Sequence, residues 1–406
     1  MPRINEQRTL SWRPQPERHH GPARNCNPLK NNNSRLDLAE RKSAKGAFMP
    51  SLMFMKKSRA LLFAGALLAT PAAVNANSFV DPLDLPVAGV HQADHKPMRD
   101  IAKAGKRLVA AGDNGVIIFS DDQGATWAQA KVPVSVDLNA VYFADDQRGW
   151  AVGHGAVILR SLDAGTTWTK QLDGRGLEAI VVDYFKSKSG LDEQSAENYL
   201  TAILNMTRPG PGQFFMGVWF DTRGNGFAVG PFGLIMASHD SGESWQPWNT
   251  QIDNNDLFHL TSIRGVDGAL FITGERGRVW RQDPLTQSFV ASETGYQGTL
   301  FGLAGDKGNL LAYGLKGHVF RSVDGAQTWT AVGSDFKGSV TAGAALEGRG
   351  FVLVSQSAQA AISHNGGATF TPLEVKQPTL FTGVVGLSAE RLALVGLNGV
   401  TIMETP

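Results

Sequence analysis

Cysteine is almost missing: the 406-residue chain has one, Cys26, and tyrosine is scarce at five. A single cysteine excludes an internal disulfide framework, so a folded body must be stabilised by a large core. Charged residues are 18% of the chain, below the usual ~25%, which argues against a coiled coil or a highly charged disordered chain. No apolar run reaches the ~20 residues a membrane-spanning helix needs. Glycine, by contrast, is plentiful, with 46 copies, and that excess suits many short strands joined by tight turns.

The first 76 residues differ from the rest. Residues 1–54 are rich in Arg, Asn and Pro without apolar periodicity, and read as a disordered extension or an over-extended start. Met55-Lys56-Lys57-Ser58-Arg59, the apolar run Ala60 to Ala69 and the small-residue ending Val74-Asn75-Ala76 form a secretory signal peptide over 55–76. Charge follows the same division. Of 38 Lys+Arg and 37 Asp+Glu, the first 76 residues hold 13 and 4, leaving 25 and 33 and a net charge of −8 for residues 77–406. An acidic body makes nucleic acid an improbable partner. Export without disulfides fits a periplasmic address.

Residues 77–406 are built from a repeat. The pattern Ser-x-Asp-x-Gly-x-Thr-Trp occurs at Ser120–Trp127, Ser161–Trp168 and Ser238–Trp245, and again at Ser322–Trp329 and Ser363–Phe370. A worn copy lies at Asp283–Phe289. Trp127 to Trp168 and Trp329 to Phe370 are each 41 residues apart, and Trp245 to Trp329 is 84, or two units of 42. The 77 residues from Trp168 to Trp245 contain an insertion of about 36. What remains divides into seven units, and a ~40–45-residue period with four strands per unit marks a β-propeller. The predicted fold is therefore all-β, a seven-bladed propeller of four-stranded antiparallel blades, with a helical insertion at about 174–212 between blades 2 and 3.

The box has a structural role in this reading. Asp121, Asp163, Asp240 and Asp324 lock the turns, while Trp127, Trp168, Trp245 and Trp329 pack between neighbouring blades. The last unit, Thr379 to Pro406, lacks a box and a fourth strand, so Phe79 to Val90 is expected to pair with it and close the ring. In the insertion, Leu177–Phe185 and Ser195–Met206 read as helices. Tyr199, Leu200 and Ile203 share an apolar face that could dock a partner.

Catalytic and cofactor signals are weak. His91 and His95 are four apart without a third ligand, and Asp253–Asp256 lacks an ordered oxygen set, so no metal or cofactor is assigned. Gly-x-Ser-x-Gly and phosphate-cradling loops are absent. The enzymatic alternative is a secreted sialidase-type glycoside hydrolase, because Asp boxes occur on such propellers. Its chemistry needs an arginine cluster and a tyrosine nucleophile paired with a glutamate, and the accompanying Arg-Ile-Pro signature is missing from residues 77–406.

The phrases Arg148-Gly149-Trp150-Ala151-Val152-Gly153, Ile158 to Trp168 and Gly226-Phe227-Ala228-Val229-Gly230 resemble the photosystem II stability/assembly factor family (BNR/Asp-box repeats) and its non-photosynthetic bacterial relatives. The resemblance spans nearly all of residues 85–406. It implies a non-catalytic, monomeric assembly factor that holds a membrane-protein subunit. Outside photosynthesis the partner would be an envelope complex such as a transporter. It also suggests an arginine-bearing contact face, for which Arg148, Arg160, Arg223, Arg281 and Arg321 are the candidates.

Overall fold

The structure, a computed structural model, describes residues 79–405 except 188–193, 195, 196, 199, 202–213, 347, 349 and 389. The extension and signal peptide read from the sequence lie outside the described residues. Seven antiparallel sheets follow one another along the chain, six of four strands and the last of three. Blades 1 to 7 run from Met98 to Gln129, Leu138 to Leu172, Gly217 to Pro247, Leu260 to Glu293, Leu300 to Val332, Val340 to Leu373 and Phe381 to Glu404. They form a seven-bladed propeller with one described helix, Gly174–Ser187, between blades 2 and 3.

Strand pairing inside a blade leaves the next blade unattached, because the sheets share no backbone ladder. Two belts of side-chain bonds supply the connection. The inner belt begins at a bulge near the start of the first strand, seen where the register slips between Leu260 and Ser262 or Val340 and Ala342. In blades 2, 4, 6 and 7 the bulged residue bonds the next blade, whereas blade 5 has Phe301 at that place. Asn139 Nδ2 donates to Phe215 O at 2.9 Å, Thr261 Oγ1 to Leu300 O at 2.6 Å and Thr341 Oγ1 to Phe381 O at 2.7 Å. In blade 7, Thr382 Oγ1 donates to Met98 O of blade 1 at 2.7 Å.

That last bond closes the ring, which corrects the expectation for Phe79 to Val90. This segment does not extend blade 7. Ser135 N donates to Pro82 O, Val87 N donates to Val132 O, and Asp84 pairs with Lys170 and Arg175, all in or beside blades 1 and 2. Pro82 and Pro86 explain the difference, since proline has no N–H to give a ladder. Val87 and Val90 pack on a cluster that includes Ala393 and Val395 of blade 7, and the next turn, Ala93–His95, reaches that blade where a Cβ on Gly399 would lie 1.9 Å from Asp94 O.

Each intact box is a closed hydrogen-bond circuit between strands three and four. Ser161 Oγ donates to Asp163 Oδ1 at 2.9 Å and accepts from Gly165 N at 2.9 Å. Asp163 also accepts from Thr167 N and Thr167 Oγ1 at 2.9 and 2.7 Å. Ser238/Asp240/Ser244 and Ser322/Asp324/Thr328 repeat the circuit. In the first box the aspartate in this role is Asp122, not Asp121: Asp122 accepts from Ser120 Oγ and Thr126 N. The repeat's own spacing, Ser-x-Asp, explains why, since Asp121 occupies the variable position. Asp121 instead forms a two-point ion pair with Arg107.

The ring closing each box packs on the preceding blade. Trp168 joins the cluster containing Val109, Trp245 joins Trp150, Trp329 joins Val266 and Trp127 joins Ile402. Gly124 in the first box has φ +90°, and a Cβ there would sit 2.4 Å from Ile402 Cδ1, so the blade 7–1 junction requires glycine at that point.

Two outcomes follow. Thr382→Val leaves the Met98 carbonyl without its donor and should lower unfolding free energy by about 1–2 kcal/mol in a urea titration. Hydrogen bonds from the Thr126 hydroxyl and amide hold the Asp122 carboxyl at about 2, and those from Thr328 do the same for Asp324. Both pKa values lie below the unfolded value of 3.8, so their stabilisation is present above about pH 4 and is lost as pH falls toward 2. Asp122→Asn with Asp324→Asn should flatten the acid melt over that window, and an unchanged acid limb contradicts this. Asn365 already fills the corresponding place in blade 6, its Oδ1 accepting from Ser363 Oγ and Thr369 N.

Candidate functional site

The outer belt is made by arginines that cross to the next blade's box. Arg160 Nη1 donates to Ser241 O at 3.3 Å, Arg281 Nη1 to Gly325 O at 3.2 Å and Arg321 Nε to Gly366 O at 2.6 Å. Arg107 reaches Ala164 O at 3.2 Å and Thr166 Oγ1 at 2.8 Å in the same way. Each of the four arginines reaches the carbonyl of the fourth box residue, whose φ is +57° in Ala164, +63° in Ser241, +72° in Gly325 and +68° in Gly366. The left-handed turn presents that carbonyl to the neighbouring guanidinium.

Four of the five arginines proposed as a contact face are therefore engaged between blades. Arg160 also pairs with Glu243 at 2.6 Å and Arg321 with Asn309 Oδ1 at 2.6 Å. Arg148 bonds Asp145 in its own turn and Thr222 O of blade 3. Arg223 is different: its side chain is 83% exposed and pairs only with Asp221 in the same turn, at 3.0 Å. An arginine ending the third strand marked these positions in the sequence. The partner carbonyl was illegible there, since it belongs to the next repeat and depends on backbone φ.

One junction lacks both belts among the described residues. Blade 3 carries Ala237 where Arg160 stands in blade 2 and Met216 where Asn139 stands, and blade 4 has the worn copy in place of a box. In that copy Asp283 accepts from the amides of Leu285 and Thr286, with no serine before it to complete the circuit. A groove of about 710 Å³ opens between blades 3 and 4 as a result. Trp219, Phe227 and Trp248 supply its aromatic wall, and Arg223, His239 and Arg281 add polar groups. Phe227 and Trp248 meet edge to face at 5.7 Å, and the His239 and Trp248 rings are 5.9 Å apart. His239 Nδ1 is 3.1 Å from Asn225 Oδ1. Trp248 Nε1 is buried without an acceptor among the described residues. Arg223 and Arg281 are thus brought together, while Arg148, Arg160 and Arg321 belong to other junctions.

The insertion is built into the body. Leu177, Val181 and Phe185 of its helix are buried in a cluster with Phe215, Leu234 and Trp245, and Leu200 packs against the same cluster. Arg175 pairs with Asp84 and Asp173, tying the helix start to the N-terminal segment. Tyr199 and Ile203 lie outside the described residues.

Tyr313 and Tyr296 have structural surroundings. Tyr313 is buried, and burial pushes its hydroxyl up to about 12. Tyr296 donates its hydroxyl to Leu315 O at 3.0 Å. The Asp253–Asp256 segment is a structural turn in which Asn254 bonds both the amide and the carbonyl of Phe258.

These geometries predict different responses from two arginines. Arg321→Gln should lower unfolding free energy by about 1.5–3 kcal/mol, as expected for a charge-assisted bond to a part-buried carbonyl. Arg223→Ala should stay within about 0.5 kcal/mol, as for an ordinary surface site. Chemical denaturation of both proteins checks the ranking.

No protein-family model matches the chain, and no curated protein matches it. Solved structures do. A structure of YCF48 bound to a D1 peptide is similar over 77% of this chain and 94% of its own, at 16% identity and a TM-score of 0.55. YCF48 from Cyanidioschyzon merolae covers 77% and 96%, at 15% identity and a TM-score of 0.54. The WD40 repeats of RRP9 cover 78% and 96%, at 10% identity and a TM-score of 0.54. At these identities the likeness establishes a YCF48-like propeller fold.

Proposed function

We propose that this protein is an exported, non-catalytic scaffold that binds a membrane-protein subunit during assembly of an envelope complex, such as a transporter. The observation that carries the reading is the groove at the unclasped junction of blades 3 and 4. It is concave, aromatic on one side and bordered by an exposed arginine, a surface suited to an extended protein segment. The peptide in the YCF48 structure supports a peptide-binding role for a ring of this shape. Export rests on the signal peptide read at 55–76, and the acidic residues 77–406 are consistent with a periplasmic monomer. Among the described residues no helix is long and apolar enough to cross a membrane.

A photo-crosslinking residue placed at Gln287, on the groove's edge, should capture a membrane protein in intact cells. Trp248→Ala with Arg223→Glu should abolish the adduct while the protein stays folded. Equal crosslinking from Val290, on the outer strand of blade 4, would count against the groove. Mass spectrometry of the exported protein should find Asn77 as its first residue. A recovered peptide from Trp12–Arg24 would contradict the assigned leader.

A further inference from the structure

Along the ring axis the first strands of all seven blades enclose a second cavity of about 350 Å³. Strand registers align these strands residue by residue, so equivalent positions can be compared around the ring. The fifth position pairs with the residue three before the end of the second strand's common Gly or Ser. It is Ala102, Tyr142, Trp219, Arg264, Ala304, Ala344 and Val385 in blades 1 to 7. Blade 4 alone places a charge there.

Nothing in the described structure neutralises that charge at contact distance. Arg99, the other arginine on this cavity, is fully engaged with Asp113, Asp137 and Asn139. Arg264 has no hydrogen bond or ion pair among the described residues, although it is half-buried and borders the cavity. The acid that senses its charge is Asp100, across the channel in blade 1. Both Asp100 oxygens are already committed, Oδ1 accepting from Ile101 N at 2.9 Å and Oδ2 from Val141 N at 3.0 Å. Burial pushes the Asp100 carboxyl up and Arg264 opposes the rise. The Tyr142 and Tyr313 hydroxyls also lie within reach of the Arg264 charge.

The half-buried Arg264 guanidinium borders the channel with no protein acceptor among the described residues, which leaves its donors available to a ligand. Its planar fork matches a carboxylate better than a point anion. The cavity lies within the range of small-molecule sites, ~300–1,000 Å³. We propose that the axial channel binds a small organic carboxylate, with Arg264 as the anchoring group. This site is separate from the blade 3–4 groove, and each can fail without the other.

Calorimetric titration of the purified protein with acetate, succinate, benzoate and inorganic phosphate tests the assignment. At least one carboxylate should bind, and Arg264→Gln should weaken it about tenfold to a hundredfold, the range of a charged hydrogen bond. Arg264→Lys should fall between, and Arg223→Gln should change nothing. Without ligand, Arg264→Gln should melt no lower than the parent, because it removes an unpaired charge from a half-buried place. Four results overturn the proposal: no carboxylate binds, phosphate alone binds, Arg264→Gln leaves binding intact, or Arg264→Gln melts markedly lower without ligand. A peptide that binds through its terminal carboxylate while the free acids do not would also overturn it, in favour of a macromolecular partner.

Discussion

A donor handed from one blade to a carbonyl of the next is the contact on which the ring depends. The seven sheets share no strand ladder, so inter-blade cohesion comes from packed rings and from these crossing bonds. Threonine and asparagine serve near the axis, and arginine serves at the boxes. Thr382 to Met98 joins the last blade to the first without an added strand. Most of these crossing bonds end on a backbone carbonyl, and where no second donor serves it, loss of the donor costs more than the bond alone.

That dependence gives the arginines their meaning. A row of arginines on one face of a propeller looks like a recognition patch. Here Arg160, Arg281 and Arg321 reach into the neighbouring box, and only Arg223 projects freely. Where the crossing residues are replaced, by Met216 and Ala237 in blade 3 and by a worn box in blade 4, apolar packing and the Leu260 N to Gly230 O bond join the blades and a groove lies beside them. The place best suited to a partner is thus the place where the repeat has decayed, a local departure in an otherwise self-consistent fold.

Much of this was legible in the sequence. The 41–42-residue spacing of Trp127, Trp168, Trp245, Trp329 and Phe370 gave the blade count, because one repeat must make one sheet. The boxes gave the strand three-to-four turns. Four things escaped. Both Asp121 and Asp122 fit the turn of the first box, and the Ser-x-Asp spacing singles out Asp122 as its lock. Phe79 to Val90 was assigned to blade 7 from a missing strand, although Pro82 and Pro86 argued otherwise. The groove was invisible because it results from contacts between repeats, and a sequence displays only what each repeat contains. Arg264 escaped for the same reason: its lack of a partner becomes apparent only when seven first strands are set side by side.

The central claim is that side-chain crossing bonds reinforce six junctions, while the one between blades 3 and 4 is held by the Leu260 N to Gly230 O bond and apolar packing and carries the binding groove. Native-state hydrogen exchange measures this directly, junction by junction. Amides at the facing strands Gly217–Phe220 and Leu260–Val266 should exchange faster than their counterparts at the other junctions, and should become protected when a partner binds. Uniform protection around the ring, or slowest exchange at this junction, would contradict the account.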